Sequence, residues 1–368
     1  MDVVREVCVM DLAIYGAQGM ALGAYKAIQK LFPRRKIVCF LVTKKDMNAD
    51  LLSGLPVIEL ETFVSNLPQK KKENLEVLIA TPENTMFEIE KKLEEQGLFC
   101  HVRLTSSLWA ELMGYYYVCD KGYVPLSALP IGYHRAELHM FMAKFYKDQP
   151  LACQYDQPEW LHPIQVGAAL CEERIADILD CDGVNISRKN VNYSELTALY
   201  WIWQNYLDSK NNLHEYYGLN HYRRVFDFSE EDLLRLVDNE VDVVLPFPML
   251  YEPNIEEHHK RYLKHGDWEA VLEALHQIQP NYAEQFSTIL KQTYFYNYNI
   301  ILARKNVLED YCNWLFPILE RVEELSVPRG CDRHDRYIGY VGESLATLYF
   351  MVNRNRLNIT HTGCRFLI

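Results

Sequence analysis

The first segment with a clear pattern is a mostly apolar run from Val7 to Tyr15, which stops at Gly16-Ala17-Gln18-Gly19-Met20-Ala21-Leu22-Gly23. Ala24 to Leu31 continues with helical spacing, so the segment reads as strand, glycine turn, helix. Lys36 to Val42 predicts a second buried strand, Gly54 to Ile58 a short edge piece, Leu75 to Ala80 a further strand, and Thr85 to Gln96 a helix. Strands alternating with helices predict a small parallel sheet covered on its faces. Around Tyr115 to Leu129 this alternation breaks into aromatic and Pro/Gly-containing sequence. We place a boundary there, giving a Rossmann-like domain over 1–122 and a second domain over 123–368.

In the second part, strands are predicted at Leu138 to Tyr146, Tyr216 to Asn220, Val241 to Leu245 and Thr293 to Ala303. Helices are predicted at Glu195 to Tyr206, Val307 to Leu325 and Gly342 to Asn353. No internal repeat and no apolar run of about 18 residues occurs, so no spanning helix is expected.

Composition changes this picture in two ways. With 38 Lys plus Arg against 50 Asp plus Glu, the formal charge is -12, which argues against a broad grip on nucleic acid phosphate. Ten cysteines are scattered without a CxxC pair, which disfavours a zinc knuckle or a disulfide scaffold and fits a cytoplasmic, reducing setting. The acids near the start, Asp2 and Glu6, interrupt any leader-like apolar run.

Chemistry is sought in four places. Gly16, Gly19 and Gly23 could bring backbone N–H groups to a phosphate. Their spacing is GxxGxxxG, and Thr43-Lys44-Lys45 stands where a dinucleotide site has an acid, so a tight packing turn is the better-supported reading. The second place is Asp180 to Glu195, the densest polar stretch. Caps at Asn192 or Ser194 explain part of it, and Asp182, Asn185, Ser187, Asn190 and Glu195, with Lys144, are candidates for holding a ligand's hydroxyls. The third is Asn220-His221-Tyr222-Arg223-Arg224 at a strand end, where an open sheet binds ligands and guanidinium forks suit phosphate. Alternation along a strand allows at most one of Arg223 and Arg224 to face the site. An ion-pair cluster with acids such as Asp227 is the equal alternative. The fourth is Glu343, read as a residue in the first turn of a helix, where the dipole would lower its pKa, with Asp332 and Asp335 nearby.

Together, His162 to Ala169, Asn185 to Trp201, Gly218 to Arg224, Tyr311 to Phe316 and Arg336 to Glu343 resemble, in order, the DUF4422 family of bacterial capsular and exopolysaccharide synthesis proteins, which includes galactofuranosyltransferases. The resemblance runs from about Glu137 to the end of the chain. It implies an α/β chain with a GT-A-like glycosyltransferase domain after the Rossmann-like one. It also implies a nucleotide-sugar donor, with a UDP-sugar as the expected form. The implied acceptor is a glycan or lipid-linked oligosaccharide reached at the inner membrane face by peripheral contact. Two departures from the family pattern, Val184 for an acid and Tyr146 for a histidine, bear on donor choice or on activity itself.

On this resemblance Glu343 becomes the expected base of an inverting transfer, with His221 and one arginine replacing part of the work of an Asp-x-Asp-bound metal. Asp180-Cys181-Asp182 keeps a divalent metal open, so metal dependence stays unassigned. Two alternatives remain: a nucleotide-binding protein without turnover, and an NAD-dependent sugar dehydrogenase or epimerase centred on Gly16 to Gly23.

Overall fold

The computed structural model describes residues 10–46, 48–151, 155–207 and 214–367. The start of the first predicted strand (7–9), together with Asp2, Glu6, Cys8 and Cys153, lies outside the described residues.

The N-terminal sheet is built from β1 (Asp11–Tyr15), β2 (Ile37–Val42), β3 (Leu51–Leu52), β4 (Leu55–Glu59), β5 (Leu75–Ile79) and β6 (His101–Arg103). Their order is β3-β4-β2-β1-β5-β6, with every pairing parallel except β3 against β4. The predicted edge piece therefore lies one strand inside the edge, which is the two-residue β3. The near-continuous apolar runs of β1, β2 and β5 are those of a sheet covered on both faces. The helices Gly19–Leu31 and Ser106–Lys121 cover one face, with Ile28, Trp109 and Met113 in a common core.

The helix Ser106–Lys121 corrects one expectation. Its aromatic residues do not break the pattern: Trp109, Met113, Tyr116 and Tyr117 form a buried stripe at helical spacing. Gly122 closes it in the left-handed conformation, with φ 67°.

The second sheet has nine strands: β7 (Glu137–Lys144), β8 (Leu161–Gln165), β9 (Ile178–Leu179), β10 (Glu215–His221), β11 (Arg224–Phe226), β12 (Val243–Pro246), β15 (Ile301–Arg304), β16 (Ile359–Thr362) and β17 (Cys364–Phe366). A separate ribbon joins β13 (Met249–Leu250) and β14 (Tyr294–Phe295). The main path runs β16-β12-β15-β10-β7-β8-β9. From β10 to β9 the strands are parallel, and β15 is antiparallel to both its neighbours. The predicted strand over Thr293 to Ala303 is in fact β14 and β15, separated by a loop in which Tyr298 and Asn299 have φ of 72° and 50°. The helices Lys305–Leu325 and Tyr337–Val352 pack on this sheet through one large apolar cluster.

The two sheets are joined by apolar and polar contacts. Phe247, Met249 and Leu250 enter the core of the N-terminal sheet, and the Tyr117 hydroxyl donates to the Pro248 carbonyl at 2.8 Å. The Glu252 carboxylate accepts from Ser53 N and Oγ and pairs with Lys26.

Candidate active site

Each sheet has a place where the strand order reverses direction, and the crevice at the carboxyl ends of such strands is where open α/β sheets bind ligands. In the N-terminal sheet this point lies between β1 and β5, at Gly16 and Ala80. In the second sheet it lies between β10 and β7, where His221 is the register partner of Ala143. Both points open on the same space.

Two cavities occupy it. The larger, about 460 Å³, lies between the sheets: Gly16 to Met20 and Ala80 to Pro82 form one wall, and His221, Arg223, Arg224, Tyr298, Arg336 and Glu343 face them. The smaller, about 280 Å³, sits over the carboxyl ends of β7, β8 and β10 and is lined by Ala143, Phe145, Asp148, Val166, Asn190 and Tyr222 among others. Glu195, His221, Arg223 and Arg336 line both, so the cavities adjoin at these four side chains.

The two arginines depart from strand alternation for a local reason. β10 ends at His221 and β11 begins at Arg224, its antiparallel partner, so Tyr222 and Arg223 form a two-residue turn. A turn swings consecutive side chains to one side, and both guanidinium groups line the larger cavity. Among the described residues no salt bridge reaches either of them, and Asp227 is not their partner; the Nε atoms of both are buried without a hydrogen bond. The Arg224 guanidinium instead lies 3.9 Å from the centre of the Tyr298 ring, a cation–π contact.

His221 is neutral rather than cationic. Burial, then the positive charges of Arg224, Arg223 and Arg336, press its pKa down to about 3. Its Nδ1 accepts from the Arg223 backbone N–H at 3.2 Å, which places the ring proton on Nε2. The imidazole therefore serves as a hydrogen-bond donor, and the positive charge expected of it resides on the arginines.

Glu343 also differs from its expected setting. The helix begins at Tyr337, so Glu343 lies in the second turn, beyond the dipole's strongest reach. Only 8% exposed, its carboxyl is pushed up to about 8 by burial and then by neighbouring Glu195. Its Oε1 accepts from Tyr298 N at 2.7 Å. Asp335 is engaged elsewhere, pairing at 2.8 Å with the buried Arg333, which also holds Asp267. Neither Asp335 nor Asp332 lines either cavity.

The polar stretch 180–195 divides sharply. Asp180, fully buried, accepts from Gly167 N, Ala168 N, Ser187 Oγ and Thr197 Oγ1. Asn185 bonds Cys181 O and Gly183 O through Nδ2 and receives Ser187 N on Oδ1. Asp182 and Asn185 are exposed and, like Ser187 and Lys144, line neither cavity. Asn190 lines the smaller cavity while its amide holds Ser194 O and Thr197 Oγ1. Glu195 lines both, its Oε1 receiving Asn299 Nδ2 at 2.7 Å.

The three glycines separate as well. Gly16 has φ +125°, and a Cβ there would stand 2.6 Å from the Ala80 carbonyl oxygen, so the turn off β1 requires glycine. Gly19 packs against Met249 of the second sheet's ribbon, and Gly23, outside the cavity, packs against Met113. Thr43 and Lys44 line a neighbouring cavity of about 430 Å³ that shares Gly16, Thr81 and Pro82 with the large one.

Sequence spacing missed Arg336, Tyr298, Asn297 and the pair His258-His259, all of which line the large cavity. Arg336 has φ 61° at the start of its helix and donates from Nε to Ser194 Oγ at 2.9 Å. Positive φ at Arg336, Tyr298 and Ser194 marks strain where a site is assembled, and spacing gives no signal of it. Among the described residues one group could hold a metal ion, Glu137, His139 and Glu215. It lies at the amino ends of β7 and β10, the opposite end of the strands from the cavities.

Comparison with known proteins follows this geometry. Residues 151–354, more than half of the chain, match the family model described as "Domain of unknown function (DUF4422)". No curated protein matches. Among solved structures, the apo structure of the bifunctional glycosyltransferase WbbM is similar, with 25% identity and a TM-score of 0.53 over 63% of this chain and 45% of that one. The chain thus spans less than half the length of that protein. The α/β fold with its parallel strands is GT-A-like. By the extent of the match, the chain belongs to the DUF4422 family.

Proposed function

We propose that this chain is a glycosyltransferase, moving a sugar from a nucleotide-sugar donor, a UDP-sugar in the first instance, to a glycan acceptor with inversion at the anomeric carbon. One observation carries the proposal. Three arginines, Arg223, Arg224 and Arg336, line the joined cavities without a salt bridge among the described residues, with Asp148 near Arg223 and the buried carboxyl of Glu343 near Arg224 and Arg336. This positive charge, half-buried on Arg223 and Arg224 and exposed on Arg336, lines the cavities without a salt bridge and suits an anion brought in by a ligand.

The donor's nucleotide fits the smaller cavity, over the strand reversal at His221 and Ala143. Its diphosphate would then lie at the junction, where Arg223 and Arg336 line both cavities and His221 Nε2–H can donate. Charge that grows on the departing diphosphate meets donors already in place, so little reorganisation is needed as the glycosidic bond breaks. The acceptor hydroxyl enters from the larger cavity beside Glu343. A carboxyl with a pKa of about 8 is close to the working pH and accepts a proton strongly once ionised, which suits a general base. In a single displacement Glu343 takes the hydroxyl proton, the acceptor oxygen bonds to the anomeric carbon, and the nucleoside diphosphate leaves with the bonding pair.

No step needs a resident metal. The Asp180 oxygens are filled by four hydrogen bonds, and the metal-competent trio lies at the far end of the sheet. The cavities themselves are lined by Asp148, Glu195 and Glu343, so metal dependence is left to the chelator assay. A shared active site between 1–122 and 123–368 also argues for treating these as two domains of one catalytic unit. No helix among the described residues is long and apolar enough to cross a membrane; peripheral contact with a lipid-linked acceptor is part of the proposal.

The test is a thermal-shift screen of UDP-sugars followed by hydrolysis assays in excess chelator. A donor that binds the native state raises the melting temperature, and slow release of UDP from that donor is expected with chelator present. If no nucleotide sugar shifts the transition and none is hydrolysed, the proposal fails.

A further inference from the structure

We infer that the interdomain cavity contains a second anion subsite, at the start of the helix Gly19–Leu31, which grips an acidic group on the acceptor saccharide. The inference deepens the glycosyltransferase reading and rests on it for the name "acceptor"; the subsite itself rests on the cavity.

The glycine turn delivers the helix start to the cavity. Because only glycine fits at φ +125° under the Ala80 carbonyl, the chain turns off β1 at Gly16, and residues 16–20 form the cavity wall. The first N–H groups of a helix have no partner inside it. Here Gln18, the residue before the helix, makes no capping bond with its side chain, and the first turn holds no acidic residue. Gln18 instead donates from Nε2 to Asn48 Oδ1 at 2.6 Å. This wall, from Gly16 to Met20 and from Ala80 to Pro82, carries no charged side chain at all.

A second feature points to a ligand independently. His259, 1% exposed, and Asn297, 7% exposed, line the same cavity, and the His259 Nδ1 and Asn297 Oδ1 atoms have no hydrogen-bond partner. They stand beside the helix start: a Cβ on Gly19 would lie 3.7 Å from the Tyr251 ring, and the Tyr251 hydroxyl accepts from Asn297 Nδ2 at 2.7 Å. Leaving buried polar atoms unpaired costs free energy, and a polyhydroxylated ligand would satisfy them. The wall thus offers hydrogen bonding for sugar hydroxyls beside N–H groups suited to an anion. Across the cavity lie Arg224, Arg336 and Glu343, so an acceptor held by its acidic group at the helix start would extend towards the base. The matching chemistry is a saccharide bearing phosphate or carboxylate.

The experiment is calorimetric titration of galactose 1-phosphate, galacturonate and uncharged methyl galactoside into the full chain saturated with UDP. An acidic sugar is expected to bind one per chain without displacing UDP, about tenfold more tightly than methyl galactoside. Whether galactose 1-phosphate or galacturonate binds better tells phosphate from carboxylate. Gln18→Glu adds a negative charge on the exposed rim and should weaken the acidic sugar about tenfold, whereas Gln18→Lys should not. Displacement of UDP would assign the anion position to the donor and overturn the inference. Equal behaviour of the two Gln18 variants, or equal affinity for methyl galactoside, would overturn it too. If UDP itself does not bind, the transferase reading is what fails, and titration of the UDP-free protein with both Gln18 variants still decides the subsite.

Discussion

Two segments of this chain are rich in polar residues, and the structure uses them in opposite ways. From Asp180 to Ser187 and on to Thr197 most polar groups satisfy one another: a single carboxylate gathers two backbone N–H groups and two hydroxyls, and Asn185 and Asn190 fasten the adjoining turns, with Asn192 Oδ1 as an exception. From His221 to Arg224 the reverse holds, with a neutral imidazole and two guanidinium groups lining a cavity and no carboxylate paired with them among the described residues. Density of polar residues therefore does not mark a site. Hydrogen-bonding capacity left over beside a cavity is the better pointer, because most buried polar groups in a fold are paired.

The contrast can be broken most forcefully at Glu343. Glu343→Gln keeps the shape and removes the base, so transfer at saturating substrates should fall by about 10²- to 10⁴-fold. Its pH behaviour gives a second reading. The folded carboxyl holds its proton to about 8 whereas the reference value is 4.5, so between these values the folded state binds more protons than the unfolded. Wild-type stability should then fall as pH rises through this window, and the fall should be smaller in Glu343→Gln. Urea midpoints at pH 5 and pH 9 measure it; identical slopes in the two proteins would remove Glu343 from its assigned setting. Wild-type kcat/KM should rise with pH to a plateau above about 8.

Replacing Arg223 and Arg224 together by alanine should lower turnover by about 10²- to 10³-fold through lost stabilisation of the diphosphate. The melting temperature should move only modestly, since no salt bridge is broken and the losses are ring contacts with Tyr222, Tyr298 and Phe366. A large drop in melting temperature with modest loss of turnover would reverse the comparison and make the pair structural.

Asp180→Ala probes the other segment, with the smallest effect on chemistry. Four donors lose a buried acceptor at once, so stability should drop by about 3 to 5 kcal/mol in urea unfolding. Turnover per folded molecule should stay within a few fold. If nucleotide affinity vanished while the fold stayed stable, the segment would belong to the donor site after all.

Much of the architecture was legible from local pattern. The alternation of apolar runs and helical stripes indicated β1, β2, β5, β7, β10 and the helix Lys305–Leu325 to within a few residues, and the helix Tyr337–Val352 from Gly342, five residues past its start. The aromatic helix Ser106–Lys121 was not legible, because the tyrosines from Tyr115 onward read as a break in the pattern, whereas Tyr116 and Tyr117 complete its buried stripe.

At the candidate site, the sequence by itself determined which chemical groups exist: the glycine turn at 16, the paired arginines, and a carboxylate in a late helix. Local rules follow from the backbone within a few residues, so these could be read in order along the chain. Tertiary structure alone decided their partners. The turn at Tyr222-Arg223 put both arginines on one side, packing buried Glu343 beside Glu195 and raised its pKa, and the ribbon at Met249 brought the glycine turn against the second sheet. Electrostatic cost and hydrogen-bond satisfaction depend on what lies within a few ångströms in space, and residues 16, 221 and 343 become neighbours only when the two sheets close on one another.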